Sequence, residues 1–205
     1  MTGVDSSEGF IPADRVIVAA GVNTRSLLSP LGADLPLSIR ITHVVQSEPL
    51  PSSLLPVFGV ANADCAGRQE ADGRLRFSSG AGVWAGDPSE WTERSLAPSA
   101  SQIRSIVDRV AQVLPIAAEA PIARSWGGLI DLTPDALPVI DAPEYPSGLV
   151  IAAGFSGHGF CLGPVSGSLC ADLALGRVPR HDLSAFRLDR FAGRVTKPSR
   201  LALHG

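Results

Sequence analysis

The chain has 205 residues, 45% of them apolar and 18% charged, with a formal net charge of −3. This balance excludes a disordered chain, and it offers no footing for nucleic acid because the arginines are scattered among acids instead of forming a basic stripe. No apolar run approaches the roughly 20 residues needed to span a bilayer, and the first residues lack the basic and apolar regions of a secretion signal, so a cytoplasmic protein with no membrane span is expected.

Arg15 to Gly21 reads as a strand covered on both faces, because its apolar character is continuous and β-branched. It ends on Ala19, Ala20 and Gly21, residues small enough for close approach by a ligand or a helix. A short helical turn is expected over Leu27–Leu31, before Gly32. From Leu35 to Phe58, Ile39, Ile41, Val44 and Val45 lie among polar residues and prolines punctuate, the pattern of an antiparallel sheet. Asp72-Gly73 precedes the alternating Arg74–Ser79, one arm of a hairpin. Ser99 and Gln102 form a capping-box pattern. Ile103, Ile106, Val107, Val110 and Leu114 follow at helical spacing, and Pro115 ends the helix. Ile122–Trp126 is a further strand, and Pro138–Asp141 a short apolar step. Leu149–Ala153 reads as a buried strand. A glycine-dense turn with Gly154, Gly157, Gly159 and Gly163 comes next, and Pro164 opens a helix that stops at Gly176. The tail from Arg194 has few apolar anchors and is expected to be loose.

The glycine turn carries the most information. A strand, a glycine turn and a helix start bring bare backbone amides close to something flat or anionic. A plain strand-to-helix connection accounts for the same glycines. So does a nucleophile elbow, since Gly154-Phe155-Ser156 begins a G-x-S-x-G pattern, although His158 occupies the second glycine's place. His158 lies between two glycines and has no paired ligand at metal spacing, so no metal site is expected. Cys65, Cys161 and Cys170 show no C-x-x-C spacing and read as free thiols in a reducing compartment.

Several segments together resemble a family. These are Trp126-Gly-Gly-Leu129, Thr133-Pro-Asp135, Pro138-Val-Ile140, Gly148–Gly154, Phe155-Ser-Gly-His-Gly-Phe160 and Leu162-Gly-Pro164. They are similar to the C-terminal half of the D-amino-acid oxidase-like FAD-dependent oxidoreductases, in the flavour of the sarcosine oxidase, dimethylglycine dehydrogenase and opine oxidase β-subunit group. Ala13–Gly21 resembles that family's mid-chain strand beside the cofactor, and Asp182–Phe191 its C-terminal signature.

The resemblance implies a mixed α/β fold in which a partial FAD-binding, Rossmann-like layer is interrupted by an antiparallel-sheet substrate domain. Residues 1–30 and 121–205 would belong to the FAD-binding portion and residues 31–120 to the substrate domain. The family's opening strand, G-x-G-x-x-G turn and helix, which hold the FAD pyrophosphate, have no counterpart here, so either the chain is a truncated product or another chain supplies that half. The cofactor is FAD. It would be non-covalent, because Gly128 stands where some members attach flavin through cysteine. The implied cofactor-binding residues are Ala20, Gly21, Gly128, Gly154, Phe155, Ser156, Gly157, His158, Gly159, Phe160 and Cys161, with His158 also the candidate catalytic side chain. His43, Trp126 and Ile130 are the candidate substrate-pocket residues, with Gln46 beside them. Amino-acid-oxidising members often hold the substrate carboxylate with an arginine where Ile130 stands, and monomeric sarcosine oxidases place a lysine where Cys161 stands. The implied reaction is oxidation of a C–N bond in an amino acid or amine by hydride transfer to flavin. The alternatives are a non-catalytic remnant or partner subunit that does not bind FAD alone, and a serine hydrolase built on Ser156.

Overall fold

The computed structural model describes residues 1–51, 54, 56–60 and 64–193. In chain order the strands are β1 (Gly3–Ser6), β2 (Gly9–Pro12), β3 (Val16–Val18), β4 (Ser38–Pro49), β5 (Phe58–Val60), β6 (Cys65–Gln69), β7 (Arg74–Ser79), β8 (Gly82–Val83), β9 (Ile122–Leu132), β10 (Val139–Asp141) and β11 (Leu149–Ala153). The helices are α1 (Thr24–Leu28), α2 (Glu93–Leu96), α3 (Ala100–Ala111) and α4 (Gly159–Ala174), with short 3-10 turns between elements. The tail expected to be loose, from Arg194, lies outside the described residues. The described residues divide into two compact units, one of residues 1–38 and 131–193 and one of residues within 39–130.

The first unit holds a three-stranded sheet in the order β10-β11-β3. β3 and β11 run parallel, with Val16 opposite Leu149 and Val18 opposite Ile151. β10 is antiparallel to β11. Every residue of β11 is buried, which is why its sequence is unbroken Leu-Val-Ile-Ala-Ala. One face, through Leu149 and Ile151, packs with Val18, Leu28, Leu35 and Val139. The other, through Val150 and Ala152, packs with Leu169 and Cys170 of α4. Ile17 of β3 is 46% exposed, so the cover over that second face stops short of β3. The β1–β2 hairpin was not legible in the sequence, because neither strand has a buried face to impose alternation.

α4 begins at Gly159, five residues before Pro164, which lies inside the helix. Glycine-rich sequence hides a helix from propensity arguments, and proline was read as the start because it favours a first turn. Its missing N–H leaves the Phe160 carbonyl without a helical donor, at a residue 98% exposed and open to water.

The second unit is built on a six-stranded sheet ordered β5-β6-β7-β4-β8, with β9 also paired to β4. Helix α3 covers one face. Its Ile106 and Val110 pack against Val45, Leu75 and Phe77, each burial worth about 1.5–3 kcal/mol. Ser99 caps α3 as expected: its hydroxyl accepts the Gln102 amide at 3.3 Å, and its own amide donates to Gln102 Oε1 at 2.8 Å. β4 and β9 run antiparallel. Glu48 N donates to Pro121 O at 2.8 Å and Arg124 Nε to Gln46 Oε1 at 2.6 Å, while Gly127 lies against His43.

Candidate functional site

In the first unit the parallel register of β3 and β11 brings their carboxyl ends side by side, and both ends turn on glycine. In open parallel sheets this is the end where ligands bind. β3 leads through Ala20 into Gly21, whose φ is +53° and around whose missing Cβ there is open space. Beyond it the buried Asn23 Oδ1 and Thr24 Oγ1 have no partner among the described residues.

β11 leads into Gly154, where glycine is required twice over. Its φ is +70°, and a Cβ would stand 2.3 Å from Thr133 Cγ2. The Gly154 amide donates to the buried Asp131 Oδ2 at 2.7 Å. The Ser156 amide donates to the Asp131 carbonyl at 3.1 Å. Asp131 thus pins the turn with both its side chain and its backbone. Burial raises the Asp131 pKa, and the Gly154 amide works against that rise. Ser156, at φ +53° and 1% exposed, donates its hydroxyl to Gly154 O at 3.0 Å. A hydroxyl turned inward onto its own loop is not presented as a nucleophile.

After the turn the backbone opens to solvent. Gly157, His158, Phe160 and Cys161 are exposed. His158 precedes α4 as its N-cap, with its side chain taking no part in capping. The first helical bond is Leu162 N to His158 O, 3.1 Å, so helix geometry leaves the amides of Gly159, Phe160 and Cys161 without an intrahelical acceptor. Bare amides, a positive dipole end and small residues around them fit the electron-rich edge of a flavin ring.

The segment under this turn is also tied down. Thr133 Oγ1 donates to Leu137 O at 2.8 Å. Arg190, near the end of the described chain, donates to Asp135 Oδ2 at 2.9 Å and to Leu137 O at 2.7 Å. Burial is the largest influence and would raise the Asp135 pKa, but hydrogen bonds from Arg190, the Leu137 amide and Thr133, with the Arg190 charge, together outweigh it and hold the carboxyl below the usual range.

In the second unit the candidate residues fall on two faces of the sheet. His43 lies on the α3 side with Ile41, Ser105, Ile106 and Arg109 around a cavity of about 230 Å³. Burial lowers its pKa, partly offset by a hydrogen bond to the Leu96 backbone. Gly127 faces the same way, and a Cβ there would meet Leu96 O at 2.0 Å. By alternation along β9, Arg124, Trp126, Gly128 and Ile130 share the opposite face. There the Arg124 guanidinium lies 4.9 Å from the Trp126 ring centroid, and Gln46 passes from Arg124 to Glu70 through a 2.6 Å hydrogen bond. Gly128 has open space where a Cβ would be. The structure therefore groups Gln46, Trp126, Gly128 and Ile130 on one face and His43 on the other.

Asp131, Gly127 and Arg124 were not singled out from the sequence. Asp131 carried a signal nonetheless: an acid inside the otherwise apolar Leu129-Ile-Asp-Leu132, where a buried carboxylate needs a donor. Among the described residues no group of three His, Cys, Asp or Glu gathers to hold a metal, all three cysteines are free, and no helix is long and apolar enough to cross a membrane.

The chain matches the family described as FAD dependent oxidoreductase (DAO) over residues 1–173, and it belongs to that family. It is 27% identical over 189 residues to the sarcosine oxidase subunit beta of Rhizobium meliloti, covering 92% of this chain and 44% of that protein. It is 32% identical over 192 residues to the human peroxisomal sarcosine oxidase, covering 87% of this chain and 48% of that protein. Among solved structures, glycine oxidase from Geobacillus kaustophilus superposes with a TM-score of 0.81 at 26% identity, over 94% of this chain and 50% of that one. L-proline dehydrogenase from P. horikoshii shares the fold, with a TM-score of 0.78 at 22% identity over 93% and 50% of the two chains. The chain spans about half the length of the relatives it matches.

Proposed function

We propose that this chain is the C-terminal half of an FAD-dependent oxidoreductase that oxidises the C–N bond of an amino acid or a secondary or tertiary amine. The supporting observation is the mouth of α4, where exposed amides stand on a turn that Asp131 holds from below. In this reading the first unit is the FAD-binding portion and the antiparallel sheet of the second unit faces the substrate.

A flavin held here would supply the hydride acceptor for oxidation of the C–N bond, with negative charge developing along one edge of its ring. The amides of Gly159, Phe160 and Cys161 and the dipole of α4 offer fixed positive charge to that edge. Because the turn is already organised, little reorganisation accompanies the chemistry. Gly157 leaves the approach to these amides without a side chain, and exposed His158 borders it. Ala20 and Gly21 supply another bare approach in the first unit, and Gly128, in the second, offers no cysteine for covalent attachment of a flavin. Trp126 and Ile130 wall the substrate side. A neutral amine needs no strong side-chain base.

A second reading is a partner subunit that does not retain FAD alone, since one relative is a subunit of a sarcosine oxidase. Equilibrium dialysis with FAD, followed by dye-linked oxidation of N-methylglycine, glycine and D-amino acids, separates the two. Flavin-dependent dye reduction supports the oxidoreductase reading. A colourless protein that oxidises no amine leaves the partner-subunit reading.

A further inference from the structure

On its helix-covered face the antiparallel sheet leaves a polar cleft unfilled. The cleft, of about 230 Å³, opens between α3 and the ends of β4, β7 and β8, with His43, Ser79, Gln102, Ser105 and Arg109 on its walls. Gly80, Ala81 and Gly82 form the rim where β7 turns into β8, and residues that small leave the space open. On α3, Gln102, Ser105 and Arg109 recur at spacings of three and four, so they stand in one polar row beside the apolar row of Ile106 and Val110.

The side-chain polar groups on these walls are short of partners. Among the described residues the ion pairs use Arg68, Arg74, Arg76, Arg187 and Arg190, and Arg109 is in none of them and donates no hydrogen bond. Asp64 approaches from beyond Gly80, where a Cβ would stand 3.5 Å from Asp64 Oδ2 and 4.0 Å from Arg109 Nη1, but the two side chains do not pair. The Ser79 and Ser105 hydroxyls are unpaired among the described residues. Gln102 turns its Oε1 back to the Ser99 amide at 2.8 Å, which leaves its NH2 free. His43 is 9% exposed. One ring nitrogen bonds the Leu96 backbone, and the other has no partner among the described residues. Burial keeps this ring neutral, so its second nitrogen is a bare acceptor. A half-buried guanidinium without a partner is costly, and an anion relieves the cost. The ligand that suits both walls brings negative oxygens for Arg109 and an O–H for His43.

We propose that this cleft is a second ligand site, on the sheet face away from Trp126 and Ile130, and that it binds inorganic phosphate as the hydrogen phosphate ion. The planar fork of Arg109 takes two of the oxygens with parallel hydrogen bonds. His43 accepts the proton that phosphate retains at neutral pH. Ser79, Ser105 and Gln102 supply donors for the rest. Sulfate has the same shape and no proton to give, and a phosphate monoester gives up its last proton near pH 6. The site uses neither flavin nor amine, so it stands or falls apart from the oxidoreductase reading.

The test titrates the full 15N-labelled chain with inorganic phosphate, sulfate and ethyl phosphate at neutral pH and constant ionic strength, reading heat and backbone amide shifts. Phosphate binds saturably and shifts the Gly80, Ala81, Gly82 and Arg109 amides. Sulfate and ethyl phosphate bind roughly tenfold more weakly, the worth of one hydrogen bond to a charged group. Arg109→Gln weakens phosphate by roughly tenfold or more, and Arg109→Lys keeps part of the affinity as a point charge. Ser105→Leu fills the cleft from an exposed helix position and abolishes binding, with α3 intact by circular dichroism. His43→Leu brings phosphate down to the level of sulfate while sulfate binding persists, a selective change that a damaged fold would not produce. The proposal is overturned if phosphate does not saturate, if sulfate or ethyl phosphate binds as tightly, or if Arg109→Gln and Ser105→Leu both bind phosphate like the wild type. Shifts confined to the Gly159, Phe160 and Cys161 amides at the start of α4 would overturn it equally.

Discussion

Asp131, inside the end of β9, accepts the Gly154 amide at 2.7 Å, so a carboxylate 23 residues upstream fixes the start of the glycine turn. The turn keeps its shape through this link, the Ser156 amide bond to the Asp131 carbonyl and the packing of Phe155 against the cluster of Val150, Ala152 and Leu169. Truncation in Asp131→Ala orphans a buried N–H, and the expected loss is about 2–3 kcal/mol. Asp131→Asn keeps an acceptor and removes the charge. The sign with pH follows from the raised pKa. An acid raised on folding contributes stability that is complete below its unfolded value, near 3.9, and is lost as pH rises through the folded value. The wild type therefore loses stability relative to Asp131→Asn as pH climbs from about 4, measured by urea denaturation across pH. Parallel curves for the two proteins would contradict this.

Two glycines should respond in opposite ways to alanine. Gly154→Ala combines a left-handed backbone with a 2.3 Å clash against Thr133, and the expected cost is about 2–4 kcal/mol. Gly167 lies in α4 with open space around its missing Cβ, and Gly167→Ala should stabilise by about 0.5–1 kcal/mol. Thermal melts of the pair decide.

Arg190 ties the end of the described chain to the loop that supports the turn, through Asp135 and the Leu137 carbonyl. Asp135 has its pKa depressed on folding. Its contribution is complete above the unfolded value near 3.9 and is lost as pH falls through the lower folded value. With Asp135 partly solvated, the ion pair is worth about 1 kcal/mol after screening. Arg190→Ala should therefore cost more at pH 7 than at pH 3, and an equal cost at both would rule the pair out as the cause.

His43 is buried on the α3 side of the sheet, with its pKa lowered chiefly by burial. Between that lowered value and the ordinary value near 6.5, the unfolded chain binds more protons than the folded one. Stability accordingly falls as the medium is acidified through that window, and His43→Gln should flatten the dependence. An unchanged slope in the variant would show that His43 does not titrate there.

The sequence revealed what side-chain periodicity controls. α3 was legible because Ile106 and Val110 bury one stripe and Ser99 caps it. β11 was legible because both its faces are covered. The glycine turn was found, but the extent of α4 was not, since Gly159 and Gly163 have poor helix propensity and Pro164 looks like a start. Which face each side chain takes was beyond the sequence. His43 and Gln46 are three residues apart, so alternation along β4 sets them on opposite sides, but only the fold shows which of the two sides α3 covers. Asp131 was hidden for a related reason: its partner is a backbone amide that the fold alone brings near.

The central claim is that the free amides at the start of α4 receive the edge of a flavin ring. The most direct measurement is a titration of the 15N-labelled chain with lumiflavin and with FAD, following backbone amide resonances. The account predicts that the Gly159, Phe160 and Cys161 amides shift with both ligands and to a similar extent, because the contacts offered here are to the ring and not to the diphosphate. Resonances that stay fixed at those three positions up to the solubility limit of both flavins would contradict it.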